Sequence, residues 1–233
     1  MKDKNIINFD NLPENYTSNY LQEGVEGTCF LLEDNQVFKR FKYEYDREED
    51  LLRQSNIKSK SFIFPDKLIY VQDKLVGYTM PYIKGDMFSD INGQTDIKLF
   101  IYNLSSMEEV SKQLAKYHNL MTCDIHSGNL IVDKDSDIIV VDTTHFIFEE
   151  YNDPITTFRY NMKALANTVL YEIFKNIDIK DSRINQLYLN AILDGKCKPS
   201  YVLEETLRKV EREMKSEVNT YEEFTQGLRL IKK

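Results

Sequence analysis

Two aspartates and an asparagine surround a predicted short β-hairpin in the middle of the chain. Asp124 and Asn129 are five positions apart, and Asp142 ends an apolar run thirteen positions after Asn129. A hairpin brings its two ends together, so we expect Asn129 and Asp142 to lie at one end of paired strands. Carboxylate and amide oxygens are the hard ligands that Mg²⁺ prefers. The spacing therefore indicates phosphoryl-transfer chemistry.

An ordinary hairpin explains the same residues. Asp and Asn are common in turns, residues 133–137 would form a polar β-turn, and Asp142 would only end a buried strand. Four further features, which occur in a fixed order along the chain, favour the chemical interpretation.

The run from Asp124 to Asn129, followed by Asp142, resembles the catalytic loop and the metal-binding aspartate of the protein-kinase-like fold. The resemblance implies that Asp124 is the catalytic base or orients the attacking hydroxyl, and that Asn129 and Asp142 hold Mg²⁺. His126 stands where protein kinases usually carry a lysine, as it does in aminoglycoside-phosphotransferase-like kinases. It would contact the transferred phosphate or be a packed structural histidine, and the sequence leaves both open.

The resemblance extends to residues that would bind ATP. Gly24 and Gly27 match the last two glycines of a glycine-rich loop, and Cys29 would cover the adenine. Lys39, on the strand Val-Phe-Lys, would neutralise the phosphates of ATP and pair with a glutamate on the next helix. Glu48 is the predicted partner, with Glu49 as the close alternative. The predicted hinge residues are the gatekeeper Met80, Tyr82 and Ile83 at the adenine edge, and Asp86 at the ribose.

The chain also departs from the family pattern. Thr122 and Cys123 replace the usual His-Arg before Asp124, so no arginine is available to hold a phosphorylated activation loop. Thr143 and Thr144 replace Phe-Gly, and the segment that follows is short. A conventional peptide platform is therefore in doubt. We nevertheless expect a serine/threonine protein acceptor, because the chain is short and lacks the large helical insertions with which small-molecule kinases of this fold often enclose their substrates. A small-molecule hydroxyl of the aminoglycoside or choline type is the alternative, and a nucleotide-binding pseudokinase scaffold is a third possibility.

Hydrophobic patterning predicts the elements that carry these motifs. We expect an α+β, two-lobed fold, in which residues 1–20 form a loose polar arm, 21–83 a β-rich lobe with one helix, and 84–233 a mainly helical lobe. Within these lobes the sequence predicts a helix capped by Asp46, strands over 62–70 and 74–80, a helix over 107–118, and an apolar helix over 160–174. The last of these resembles the central buried helix of the large lobe of the family, with Asn161 near the position of its capping aspartate.

Composition limits the class of protein. The chain has 233 residues and a formal net charge of −8, which does not favour a nucleic-acid partner. It contains no apolar run long enough to cross a bilayer and three cysteines without metal-ligand spacing. We therefore expect a cytoplasmic protein with neither a membrane nor a nucleic acid as partner. The resemblance to the kinase-like fold implies that it is an enzyme that uses ATP and Mg²⁺.

Overall fold

The computed structural model describes residues 5–175 and 177–231. These residues form an α+β structure, with a mixed sheet in the N-terminal region and helices that lie mainly after it. The described residues form two compact units: unit 1 contains those up to 83 together with 142–144, and unit 2 contains 84–141 and those from 145 onwards. The predicted α+β class is confirmed, whereas assignment to the kinase-like fold remains a prediction.

The strands of the described chain are β1 (Ile6–Phe9), β2 (Tyr20–Glu23), β3 (Gly27–Leu31), β4 (Gln36–Phe41), β5 (Lys67–Val71), β6 (Lys74–Pro81), β7 (Asp86–Met87), β8 (Leu120–Met121), β9 (Leu130–Val132), β10 (Ile138–Val140) and β11 (Ile147–Phe148). The helices are α1 (Glu48–Gln54), α2 (Ile97–His118), α3 (Pro154–Phe174), α4 (Ser182–Asp194), α5 (Pro199–Met214) and α6 (Tyr221–Gly227). Short 3₁₀ turns occupy Glu14–Tyr16, Glu33–Asn35 and Phe88–Asp90.

Unit 1 is built on a six-stranded sheet in the order β1-β5-β6-β4-β3-β2. β1 runs parallel to β5, and the other neighbours are antiparallel. Gln72 and Asp73 join β5 to β6 with φ values of 51° and 61°, the left-handed pair that matches the twist of a tight hairpin. Leu51 of α1 packs with Leu68 and Tyr70 of β5 in a small buried cluster.

Three local predictions for unit 1 need correction. The stretch expected as a loose polar arm contains β1, because Ile6–Phe9 pair in register with Leu68–Val71. Arg47, not Asp46, is at the N-cap of α1. The strand expected from residue 62 begins only at Lys67, because Pro65 just before it cannot donate a ladder hydrogen bond.

Unit 2 combines helices with two small sheets, of order β10-β9-β7 and β11-β8. The predicted helix over 107–118 is confirmed as the second half of α2, which begins ten residues earlier because the Asp96 carboxylate accepts from two backbone N–H groups. Similarly, Asp153 caps α3, so this helix begins at Pro154 and Asn161 lies inside it. Among the described helices, none combines the length and the apolar character needed to span a bilayer.

Candidate active site

Lys39 lies on β4, with neighbouring strands on both sides. Cys29 of β3 and Tyr78 of β6 stand directly opposite it, so the three side chains form a row across the sheet. Lys39 is only 5% exposed. An ammonium group that is buried to this extent needs an anionic partner to offset its lost hydration.

That partner is Asp142, which lies 103 residues further along the chain and belongs to the same unit. The Lys39 Nζ donates to both carboxylate oxygens at 2.6 Å. Thr144 Oγ1 donates to the same carboxylate at 2.8 Å, and the Tyr78 hydroxyl lies 3.4 Å from it. Asp142 has a φ of 62°, in the left-handed region that Asp and Asn tolerate better than most residues.

The predicted pair between Lys39 and Glu48 is not formed. Glu48 instead accepts a hydrogen bond from the Tyr70 hydroxyl of β5 at 2.5 Å, and the second carboxylate near Lys39 is Glu26 at 3.8 Å. Glu49 does not contact Lys39 in the described structure either. The reason is geometric, since β5 is two strands away from β4, or roughly 10 Å at the usual strand spacing.

The surroundings of the ion pair change the acidity of its neighbours. Burial, and then the charge of Asp142, raises the pKa of Tyr78 well above its ordinary value. Burial also raises the pKa of the Cys29 thiol, against an opposing effect from the Lys39 charge. Tyr78 therefore remains a neutral donor towards Asp142, and Cys29 remains an uncharged thiol beside Lys39.

The glycine loop is closed by its own hydrogen bonds. The Gly24 N–H donates to the Gly27 carbonyl at 2.8 Å. This amide is therefore not free to donate to a phosphate, which differs from the prediction. The Lys42 ammonium also binds this loop, because it donates to the Gly24 carbonyl and forms an ion pair with Glu23. A Cβ at Gly27 would lie 2.6 Å from the Arg40 carbonyl oxygen, so glycine is required there for the close approach of β3 and β4.

The predicted hinge begins within the last residues of β6 and continues beyond the end of this strand. Met80 is buried and pairs with Val37 of β4. The Tyr82 N–H donates to the Asn35 carbonyl at 2.7 Å, which removes that amide as a donor to an adenine edge. Of the predicted adenine contacts, the backbone of Ile83 is therefore a better candidate than the Tyr82 amide.

In unit 2, the loop that carries Asp124 is held by its own asparagine. The Asn129 Nδ2 donates to the Asp124 carbonyl at 3.2 Å, while the Val141 N–H donates to the Asn129 carbonyl at 2.9 Å and closes the open end of the β9–β10 hairpin. Asp142 is the next residue after Val141. Asp124 itself has a φ of 58° and is exposed at its side chain.

Two side chains of α3 form hydrogen bonds with the backbone of the same loop. The buried Asn161 side chain accepts from the Thr122 N–H at 2.8 Å and donates to the Leu120 carbonyl at 3.0 Å. Two helical turns later, the Thr168 hydroxyl donates to the Ile125 carbonyl at 2.5 Å. The backbone on both sides of Asp124 is therefore fixed by polar side chains from one face of α3.

Two histidines lie near this loop. His126 is exposed, and its Nδ1 accepts from the Gly128 N–H at 3.2 Å within the loop. His145 places its Nε2 3.9 Å from Asp124 Oδ2. Sequence analysis did not identify His145, although its position three residues after Asp142 was an available signal.

The side chains assigned to Mg²⁺ fit that ion chemically. Asp142 supplies a carboxylate, and the contact of Asn129 Nδ2 with Asp124 leaves the Asn129 Oδ1 as the ligand atom. Within residues 5–175 and 177–231, no three His, Cys, Asp or Glu side chains are grouped so as to hold a metal ion by themselves. Mg²⁺ commonly uses one or two protein ligands together with water and substrate phosphates, so each of these two side chains is by itself a chemically suitable ligand.

A groove of about 810 Å³ lies within unit 2, with Lys84, Asp86 and Asp133 among its lining residues. Asp86 pairs with Val132, at the turn end of the β9–β10 hairpin. This is the end opposite to Asn129. The groove therefore does not form an acidic acceptor pocket beside the Asp124 loop.

Comparison with protein-family models and with curated proteins found no match to this chain. The resemblance to the kinase-like fold consequently depends on the motifs and on the local geometry described above.

Proposed function

We propose that the protein is an ATP-dependent phosphotransferase that moves the γ-phosphate of ATP to a hydroxyl group, with serine or threonine of a protein as the acceptor. The observation that carries this proposal is the Lys39–Asp142 pair. The resemblance assigns these two residues to the phosphates and to the metal, independently of each other and 103 positions apart. Their hydrogen bonding supports a common role.

Each residue of the pair has a distinct part in the proposed reaction. Lys39 donates to the phosphate oxygens of ATP, and Asp142, together with Asn129, would hold Mg²⁺. The ion would supply positive charge to the phosphate oxygens as negative charge develops on them. In the ligand-free geometry the Lys39 ammonium and the Asp142 carboxylate satisfy one another, so both groups are kept ready for charged ligands in a site with little access to water.

Asp124 is proposed to act on the acceptor. Its carboxylate accepts a hydrogen bond from the acceptor hydroxyl, whose oxygen attacks the γ-phosphorus. The bond between that phosphorus and the β,γ-bridging oxygen breaks, ADP leaves, and the hydroxyl proton passes to the Asp124 carboxylate. The loop hydrogen bonds from Asn129, Asn161 and Thr168 support this role because they fix the backbone that carries the carboxylate.

The experiment combines an acceptor search with matched variants. Purified protein is incubated with γ-labelled ATP and Mg²⁺, with a protein extract or with its small-molecule fraction. We expect label in protein, and loss of transfer by at least about 100-fold in Asp142→Asn and Asp124→Asn. Asp135→Asn is the matched control, since Asp135 is an exposed aspartate in the turn of the same hairpin.

The other outcomes are equally specific. Label only in the small-molecule fraction would establish a small-molecule kinase and overturn the protein acceptor. Binding of ATP without transfer to either fraction, and without release of labelled phosphate, would overturn the proposed activity in favour of a nucleotide-binding pseudokinase. Transfer at the wild-type rate by Asp142→Asn would remove Asp142 from the site.

A further inference from the structure

The Asp124 carboxylate has a histidine ring as a close neighbour in the part of the chain that the structure describes. That neighbour is the His145 imidazole, whose Nε2 lies 3.9 Å from Asp124 Oδ2. The side chains of Asp124 and His145 are 50% and 37% exposed. The Asp124 side chain is therefore half exposed and accessible to a substrate.

The fold of unit 2 produces this proximity. β8 and β11 pair antiparallel, with Met121 opposite Ile147 and Leu120 opposite Phe148. Asp124 follows the end of β8 and His145 precedes the start of β11, so the two residues extend from the same end of this small sheet. The neighbouring Phe146 is fully buried, which anchors the backbone next to the imidazole.

His126, the histidine inside the catalytic motif, is oriented differently. Its Nδ1 accepts from the Gly128 N–H, so its ring is bound to its own loop. The third histidine of the chain, His118, ends α2 and is exposed. Of the three, His145 is the one whose imidazole lies beside the carboxylate that would receive the acceptor hydroxyl.

We propose that His145 is a positioning residue for Asp124, an inference that rests on the proposed phosphotransferase function. In the loaded enzyme the His145 Nε2–H donates to Asp124 Oδ2, which leaves Oδ1 to accept from the acceptor hydroxyl. The 3.9 Å separation requires a closure of about 1 Å to reach hydrogen-bonding distance, and catalytic hydrogen bonds are often long before substrates bind. Without the imidazole, the exposed carboxylate samples rotamers in which neither oxygen faces the hydroxyl.

Substitutions at His145 separate positioning from folding. His145→Gln retains an N–H donor near the Nε2 position, whereas His145→Ala and His145→Leu remove it. We expect kcat to fall about 10- to 100-fold in the Ala and Leu variants, with KM for ATP unchanged, and to return to within about threefold of wild type in Gln. His118→Ala is the control and should leave both constants unchanged.

A double substitution tests whether His145 acts through Asp124. In an Asp124→Asn background, His145→Ala should cause no further loss, because residues that act as a unit are strongly non-additive. Equal losses in the Gln and Ala variants, a further full loss in the Asp124→Asn background, or a change confined to KM for ATP would each overturn the proposal.

A measurement that needs no activity distinguishes this inference from the proposed function. The NMR signals of the His145 ring should shift on Asp124→Asn and not on the control Asp135→Asn. Unshifted signals would exclude the contact whether or not the protein transfers phosphate. Shifted signals in a protein that transfers no phosphate would establish the contact but overturn the proposed function, and the positioning role with it.

Discussion

The Lys39–Asp142 pair joins a buried ammonium group to a partly exposed carboxylate. Its ammonium group is 6% exposed at the side chain and its carboxylate 28%. Removing one member of a buried pair leaves the other charge uncompensated, whereas replacing both by apolar groups is often neutral for stability. The pair therefore allows stability and activity to be separated.

We predict that Asp142→Asn lowers the free energy of unfolding by about 1–3 kcal/mol, since the partial exposure of Asp142 reduces the full cost of an unpaired buried charge. Asn is the substitution of choice because it tolerates the φ of 62° at this position. The double variant Lys39→Met/Asp142→Asn should recover most of that loss without recovering phosphate transfer. Urea denaturation and the labelled-ATP assay measure the two effects, and a double variant that is less stable than Asp142→Asn would contradict the role of the unpaired charge.

Sequence alone identified both members of this pair, because a Val-Phe-Lys strand and an aspartate after an apolar run are local patterns. The sequence did not identify the partner of Lys39 correctly, because that partner depends on distances between elements. Choosing Glu48 required knowing how far α1 lies from β4, and that distance depends on the order of β5 and β6 in the sheet. Likewise, His145 gained meaning only from the pairing of β8 with β11.

At the scale of elements, α3 links the core of unit 2 to the Asp124 loop. Asn161 is fully buried and uses both ends of its amide on that loop. We predict that Asn161→Leu lowers the free energy of unfolding by about 2–5 kcal/mol, because the Thr122 N–H and the Leu120 carbonyl lose their partners. Transfer should fall as well, since the loop that carries Asp124 becomes mobile.

The matched control for this prediction is Asn167→Leu, an exposed asparagine on the same helix. It should change the unfolding free energy by no more than about 0.5 kcal/mol. Denaturant titrations of both variants make the comparison. Similar losses in the two would mean that the helix, rather than the Asn161 hydrogen bonds, responds to the substitution.

The contact between α2 and α5 contains a buried carboxylate. Both oxygens of Glu108 accept from Ser200, from its N–H at 2.7 Å and from its hydroxyl at 2.7 Å, at the start of α5. Burial raises the pKa of Glu108 above its ordinary value of 4.5, although the Ser200 hydrogen bonds act in the opposite direction. The folded protein therefore holds the Glu108 proton more tightly than the unfolded chain.

This shift predicts a pH dependence of stability with a definite sign. The contribution of Glu108 is fully present below the unfolded pKa and is lost as pH rises through the higher folded pKa. Glu108→Gln, which cannot titrate, should gain stability relative to wild type as pH increases from about 4 to about 7. Urea denaturation at several pH values measures the difference. A constant difference, or one of opposite slope, would contradict the assignment.

Elements with a local signal were predictable, and those that depend on distant partners were not. Residues 107–118 read as a helix because their apolar spacing has helical period. The apolar residues of β1 were visible, but its parallel partner β5 lies about sixty positions away. The early starts of α2 and α3 are set by Asp96 and Asp153, which were available as capping signals and were not used.

At the scale of the whole molecule, unit 1 is discontinuous in sequence. Residues 142–144 belong to it although they follow β10 of unit 2 directly. Thr143 donates through its hydroxyl to the Ile63 carbonyl at 3.1 Å, and the Thr144 carbonyl accepts from the Tyr45 hydroxyl at 2.7 Å and from Arg47 at 2.9 Å. Residues 143 and 144 are therefore bound to unit 1 by these hydrogen bonds with three separate residues.

We predict that a fragment of residues 1–83 is destabilised in part because Lys39 loses Asp142 and keeps only Glu26, at 3.8 Å, as a carboxylate partner. Lys39→Met should therefore raise the urea midpoint of the fragment, whereas in the full chain, where it leaves Asp142 without its cation, the same substitution should not raise it. Circular dichroism during urea titration measures both. An equal effect in the two contexts would contradict the dependence of unit 1 on residues 142–144.

The separation of Lys39 from Asp142 also has a consequence during synthesis. A ribosome adds about 5–20 residues per second, so the 103 positions between the two residues correspond to a delay of roughly 5–20 s. Once Pro81 completes the last strand of the first sheet, its strands are available to pair, but until Asp142 is added the Lys39 ammonium has only the more distant Glu26 as a carboxylate partner. The nascent sheet consequently lacks the nearest counter-charge of Lys39 until residues 84–141 of the second unit have been translated.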